Sequence, residues 1–204
     1  MTAFFAGLAE IRLQRRPVGC QDVAMTHTIR AVRAEDWPLA KEIRLAALRD
    51  PVAPIAFLET YEQAAAMPDE FWQGRAAGAA EGKTVRQFVG EDADGRWLGT
   101  VTVLVELPGV QDFFGGTPEV AQTHVVAVFL RPEARGSGLA EALLRAALEW
   151  SWAVPEPHIE RVRLYVHEDN ARAEAMYEKV GFKRTGAVVS SVAGREFELT
   201  VQRL

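Results

Sequence analysis

Arg135-Gly136-Ser137-Gly138-Leu139-Ala140 stands between an apolar run, Val125 to Leu130, and a helical pattern from Leu139 to Trp150. Two glycines let a backbone approach an anion closely, and a helix that follows aims its unpaired N–H groups and positive dipole end at the same point. The chemistry on offer is the cradling of a phosphate. The Gly-Lys-Ser/Thr of a P-loop is missing, and Glu141 stands where a dinucleotide fingerprint needs a small residue. Taken alone, the turn reads equally well as a glycine-rich connector with no ligand.

A second cluster follows the strand-like run Arg161 to Val166. Asn170, Ala173 and Tyr177 fall at i, i+3 and i+7, along one face of a helix, and Gly181 suits the left-handed residue that ends it. Each residue has a structural reading too: Asn170 as a helix N-cap, Tyr177 as a half-buried core aromatic, Gly181 as a C-cap.

Together, Arg135-x-x-Gly138-x-Ala140 and Asn170-x-x-Ala173-x-x-x-Tyr177-x-x-x-Gly181-Phe182 resemble the GNAT superfamily of acetyl-CoA-dependent N-acetyltransferases, in order and in separation. The resemblance covers the chain from the strand before the turn onward. The first half matches in element order, with Arg44-Leu45-Ala46-Ala47-Leu48 and Ala56-Phe57-Leu58-Glu59 similar to the family's first helices. It implies an α/β fold of the α+β type, a mixed, mostly antiparallel sheet of about seven strands flanked by about four helices. It also implies acetyl-CoA as cosubstrate, its pyrophosphate on Arg135, Gly136, Ser137, Gly138, Leu139 and Ala140, and its pantetheine arm along Val128, Phe129 and Leu130. Asn170 and Ala173 complete that site, and Tyr177 faces the thioester sulfur.

Acetyl transfer to an amine requires a neutral amine, a stabilised oxyanion and a proton for the leaving thiolate. By the resemblance, Tyr177 is the acid; the oxyanion is expected to meet a backbone N–H of the strand ending in Val128-Phe129-Leu130. Glu106 and His124 rank together as candidate bases, acting directly or through water. His124 shares the alternate-residue face of Val126, Val128 and Leu130, which points it toward an acceptor pocket or makes it a satisfied core histidine. Arg135 either aids the diphosphate or holds the turn, and Arg172 is a weaker candidate for outer phosphates. The acceptor is expected to be a primary amine of a small molecule or peptide, attacked in a ternary complex. A noncatalytic acyl-CoA-binding or regulatory module is the alternative.

The elements that must position these residues follow from periodicity. At 204 residues, 49% hydrophobic and 25% charged, the chain suits one globular domain over residues 25–204. Residues 1–24 lack a sustained period and precede Met25, so they read as a disordered leader or an upstream mis-assigned start. Helices are expected from Trp37 to Leu48, from Glu59 to Gly74 with a break near Pro68, from the turn to Ala153, and over residues 171–180. Strands are expected at Val85–Gly90, Trp97–Val105, Thr123–Leu130, 161–167, Lys183–Ser191 and Arg195–Gln202, with a hairpin turn at Asp92 to Gly95.

A net charge of −5 argues against nonspecific nucleic-acid binding, and a lone Cys20 with scattered histidines gives no disulfide or metal spacing. No apolar run is long enough to span a bilayer and no signal peptide is recognisable, so the expected location is the cytoplasm. Phe113 and Phe114, in the Gly- and Pro-rich loop Glu106 to Val120, read as a lid over the acceptor, a homodimer contact or an anchor for the loop.

Overall fold

The computed structural model describes residues 27–112, 115–191 and 193–203, so the leader, Cys20 and the Phe113–Phe114 pair lie outside the described residues. Seven strands form one sheet: β1 (Thr28–Ala31), β2 (Val85–Glu91), β3 (Trp97–Glu106), β4 (Gln122–Leu130), β5 (Arg161–His167), β6 (Lys183–Ser191) and β7 (Gly194–Gln202). Their spatial order is β1-β2-β3-β4-β5-β7-β6. Every neighbouring pair is antiparallel except β4 and β5, which run parallel. The seven-stranded, mostly antiparallel α/β architecture is the one the motifs imply.

Six helices flank the described sheet, two more than expected: α1 (Trp37–Leu48), α2 (Ala53–Ala56), α3 (Tyr61–Ala65), α4 (Asp69–Glu81), α5 (Leu139–Ala153) and α6 (Ala171–Val180). The extra pieces come from local chemistry. Pro54 starts a single helical turn after Pro51, and Thr60 with Gln63 forms a capping box that opens α3. Pro68 then caps α4, which runs past Gly74 until Gly82 at φ 68° ends it. Ala76 and Ala79 carry its buried face, and small residues give little periodic signal.

Helices α1 and α4 cover one face of the sheet, where Ile43, Ala47, Ala76 and Phe129 meet. The other face carries α5 and α6, with Leu139, Leu143, Leu144 and Ala147 packed on Val101, Val103, Val162, Leu164 and Leu199. Asn170 accepts a hydrogen bond from the Ala173 N–H at 3.3 Å and so caps α6, which stops at Gly181 with φ 107°. The Asp92 side chain closes the β2–β3 hairpin by accepting from the N–H groups of Asp94 and Arg96.

The start of α5 is clamped onto β2. A Cβ on Gly90 would lie 2.4 Å from Leu139 Cδ1 and 3.3 Å from its Cγ, and Leu139 is fully buried. Overpacking of this kind costs about 1–3 kcal/mol, so Gly90→Val should lower stability by that amount in urea denaturation. A variant as stable as the wild type would mean that α5 is not held there.

Candidate active site

The turn before α5 has the conformation its sequence requires. Gly136 and Gly138 sit at φ 83° and 84°, where a side chain is strained, and Gly138 is the N-cap of α5. Nothing lies within 4 Å of where their Cβ atoms would be, so backbone conformation, not crowding, selects glycine. Ser137 Oγ donates to the Ala134 carbonyl at 2.7 Å and accepts from the Leu139 N–H at 3.4 Å. The next first-turn amides, of Ala140 and Glu141, lie where a helix offers its N–H groups no internal acceptor. Arg135 turns inward to pair with buried Asp50, just past the end of α1, so it holds the turn in place. Arg172 is exposed.

Strand β4 departs from regular geometry at one residue. It pairs Thr102 with Val126 and Thr100 with Phe129, leaving Ala127 and Val128 together opposite Val101. Ala127 is the one described non-glycine residue at positive φ, 53°. This bulge reverses the side-chain alternation. Val125 lies in the core under α5, and after the bulge Val128 and Leu130 return to that same side, while Phe129 faces α1 and α4. The expectation that His124 shares a face with Val128 and Leu130 is therefore corrected: it shares one with Val126 and Phe129, because the bulge inserts a residue between them.

Parallel pairing of β4 with β5 covers only Gln122 to His124 against Arg161 to Arg163. Beyond His124 the strands part, and the β5-facing edge of β4 from Val125 to Leu130 has no strand partner among the described residues. A wedge results, bounded by Val128, Phe129 and Leu130 on one side and β5 on the other, with the glycine turn following the end of β4.

At the apex of the wedge lies a buried polar cluster. Arg163 Nε is 2.8 Å from Glu106 Oε2, its Nη2 donates to Glu106 Oε1 at 2.8 Å and to Asp112 at 2.7 Å, and its Nη1 donates to the Tyr165 hydroxyl at 2.7 Å. His124 Nδ1 lies 3.0 Å from Glu106 Oε1, and Gln122 donates to Oε2 at 2.7 Å. Burial alone would raise the Glu106 pKa, but hydrogen bonds from His124 and Arg163 with their charges hold it at about 2. Burial pushes Tyr165 up to about 12. Glu106 is thus a fixed anion that neutralises Arg163 and orients His124, a poor proton acceptor in its own right. His124 is itself buried, with its ring edge-on to Tyr165 at 5.4 Å between centroids.

Tyr177 is 8% exposed and packs edge-on to Phe182 at 6.2 Å between centroids, and its hydroxyl makes no hydrogen bond with a described residue. Desolvation raises its pKa, so it keeps its proton at neutral pH. The residues that the motifs missed are Ala127, Arg163, Tyr165 and Asp112. Alternation in Arg161-Val162-Arg163-Leu164-Tyr165-Val166 held a signal for two of them, since burying the valines and leucine under α5 sends Arg163 and Tyr165 to the opposite face. No group of three or more metal-ligating side chains occurs among the described residues, and no described helix is long and apolar enough to cross a membrane.

A model of the acetyltransferase (GNAT) family matches residues 42–182. A mycothiol acetyltransferase of Saccharomonospora viridis is 38% identical over 107 residues, which cover 52% of this chain and 33% of the relative. A spermidine N(1)-acetyltransferase of Vibrio cholerae is 30% identical over 107 residues, covering 51% and 53%. The chain thus spans about a third of the mycothiol enzyme and half of the spermidine enzyme. The fold is similar to that of a phosphinothricin acetyltransferase from Sinorhizobium meliloti in complex with AcCoA, with TM-score 0.66 and 17% identity over 87% of this chain and 89% of that one. A GNAT acetyltransferase from Streptococcus pneumoniae gives TM-score 0.65 and 15% identity over 87% and 100%.

The buried cluster should be visible in the acid limb of stability. The folded-state pKa of Glu106 lies below the ordinary carboxylate value, so its contribution is complete above about pH 4.5 and disappears as pH falls toward about 2. Glu106→Gln should cost about 1–3 kcal/mol at pH 7, and the gap to wild type should narrow as urea denaturation is repeated down to about pH 2.5. A gap that stays constant with pH would mean Glu106 is not held as an anion.

Proposed function

Because this chain belongs to the GNAT acetyltransferase family, we propose that it moves the acetyl group of acetyl-CoA to a primary amine of a small molecule or peptide, by direct attack in a ternary complex. One observation carries the reading. Past its last pair with β5, β4 leaves the backbone of Val125 to Leu130 without a strand partner among the described residues, and a turn with two left-handed glycines follows it in the chain. A flexible arm that ends in a diphosphate fits there, hydrogen-bonding along the β4 edge as a strand would and placing its phosphates on the amides of Gly136 to Ala140. Arg135, tied to Asp50, keeps the turn open.

The bound cosubstrate supplies an activated acyl carbon. The chain's own groups then divide the remaining work. The backbone N–H of Val128, beside the bulge, donates to the carbonyl oxygen as negative charge builds on it. His124, oriented by Glu106, takes a proton from the amine directly or through a water, so that the nitrogen attacks as a neutral nucleophile. A C–N bond forms, the C–S bond breaks, and the electron pair leaves with sulfur. Tyr177, protonated in its buried site, donates to that sulfur. A thiol's ordinary pKa is about 8.5, so a phenol with a raised pKa acts chiefly as a hydrogen-bond donor while the charge is forming.

Release of thiol from acetyl-CoA in the presence of an amine panel, beside a thermal-shift titration with coenzyme A, tests the reading. Thiol release with an amine supports it; stabilisation by coenzyme A without release from any amine would favour an acyl-CoA-binding module. Tyr177→Phe should lower kcat about a hundredfold or more with the KM for acetyl-CoA little changed, and an unchanged kcat would remove its role. Gly138→Val places a side chain at φ 84° and into the open mouth of the turn. It should weaken coenzyme A binding at least about tenfold, by backbone strain of about 1–2 kcal/mol and by blocking the amides. Retained affinity would sink the phosphate assignment.

A further inference from the structure

On the bulge side of the sheet, α1, α4, β2, β3 and β4 enclose a small cavity of about 30 Å³, room for about two waters or the two oxygens of a carboxylate. Ala127 lines it, together with Gln87, Thr100, Arg44 and Arg75, and no Asp or Glu does. The two arginines differ. Arg44 is held by Glu59, with Nε and Nη2 both 2.9 Å from its Oε2, and stacks 4.6 Å from the Phe57 centroid. The Arg75 side chain makes no hydrogen bond or ion pair with a described residue; its guanidinium lies 5.6 Å and 5.7 Å from the ring centroids of Phe71 and Trp72. Although Arg75 is exposed as a residue, desolvation of its guanidinium and the like charge of Arg44 both lower its pKa. Two cations face this cavity with one nearby carboxylate between them, and that carboxylate is already committed to Arg44.

From this geometry we infer that the acceptor is a primary amine carrying an oxyanion a few bonds away, and that Arg75, with Arg44 beside it, receives the anion while the amine meets the acyl group at Ala127. The inference rests on the acetyltransferase reading above. A guanidinium offers a planar fork that matches a carboxylate, and one that is partly desolvated and unpaired gains more from an incoming anion than a solvated surface cation does. A polyamine would instead bring its second ammonium against the arginine pair, a like-charge encounter. The carboxylate has two sources, a free amino acid or the acidic residue of a peptide with a free N-terminus.

The test compares kcat/KM for thiol release from acetyl-CoA with a panel of L-amino acids, each beside its carboxamide. Ala-Asp beside Ala-Asn, both as C-terminal amides, and spermidine complete the panel. The wild type should favour acid over matched amide by about tenfold or more, as expected where a charge-assisted pair replaces a neutral contact. Arg75→Gln should reduce that ratio to within about threefold, mainly through KM, while thermal stability and the shift with coenzyme A stay close to wild-type values, because the Arg75 guanidinium has no hydrogen bond or ion pair to lose and only its ring contacts with Phe71 and Trp72 change. Activity confined to the amino acids, or to Ala-Asp, names the source of the anion. Wild-type preference for the amides or for spermidine would overturn the inference and leave the enzyme reading standing, and so would an acid preference that survives Arg75→Gln. Stabilisation by coenzyme A with no thiol released by any amine would bring down the acetyltransferase reading, and this inference with it.

Discussion

The parting of β4 from β5 after the His124–Arg163 pair governs everything else in this molecule. A parallel pair inside a sheet gains by zipping up along its whole length, because each unmatched buried N–H and C=O costs free energy. Here the ladder stops after three residue pairs while β4 and β5 continue. The bulge at Ala127 is part of the same event: it twists β4 locally, holds a non-glycine residue in a left-handed conformation costing on the order of 1–3 kcal/mol, and turns the strand away from β5. Strain and unmatched backbone persist because the surrounding packing fixes β4 from its other side, through the long antiparallel register with β3.

The buried charges lie where the strands part, and this location gives them a structural role beside any chemical one. Glu106 comes from β3, Gln122 and His124 from β4, Arg163 from β5, and Asp112 from the loop after β3, so one connected set of ion pairs and hydrogen bonds ties three strands together at the last paired position. A buried ion pair is weak evidence for stability, since desolvation offsets much of the attraction, but it is specific in geometry. It fixes where the wedge begins and aims the His124 ring on the same sheet face as the arginine-lined cavity. The proposed binding slot, base and acceptor cavity thus meet at one bulged strand, and the start of α5 is held beside it by Leu139 over Gly90 and by Arg135 on Asp50.

Much of this was legible in the chain because it is local. The glycines at 136 and 138 mark the turn that opens α5, Asn170 and Gly181 mark the ends of α6, and Asp92 to Gly95 mark a hairpin. The bounds of β2 to β7 follow within a residue from their apolar, β-branched runs and the turn residues between them. What stayed hidden is relational. Alternation along β4 does not carry through Ala127, and an alanine gives no sign of a bulge, so the sequence pattern sets His124 on the face of Val128 and Leu130 where the structure does not. Nothing near Glu106 in the sequence reveals Arg163, which reaches it only through the sheet. Arg75 sits on a helix with almost no amphipathic pattern, and its lack of a partner becomes visible only once α4 is docked against α1.

The central claim is that the open edge of β4 is a place for a bound extended arm. Hydrogen exchange of backbone amides, followed by mass spectrometry with and without saturating coenzyme A, addresses it without reference to turnover or acceptor. Slowed exchange confined to peptides spanning Val125 to Leu130 and Arg135 to Ala140, with α1 and α4 unaffected, is the predicted result. Saturating coenzyme A that leaves those two segments unprotected, or protects another part of the sheet instead, would contradict the account.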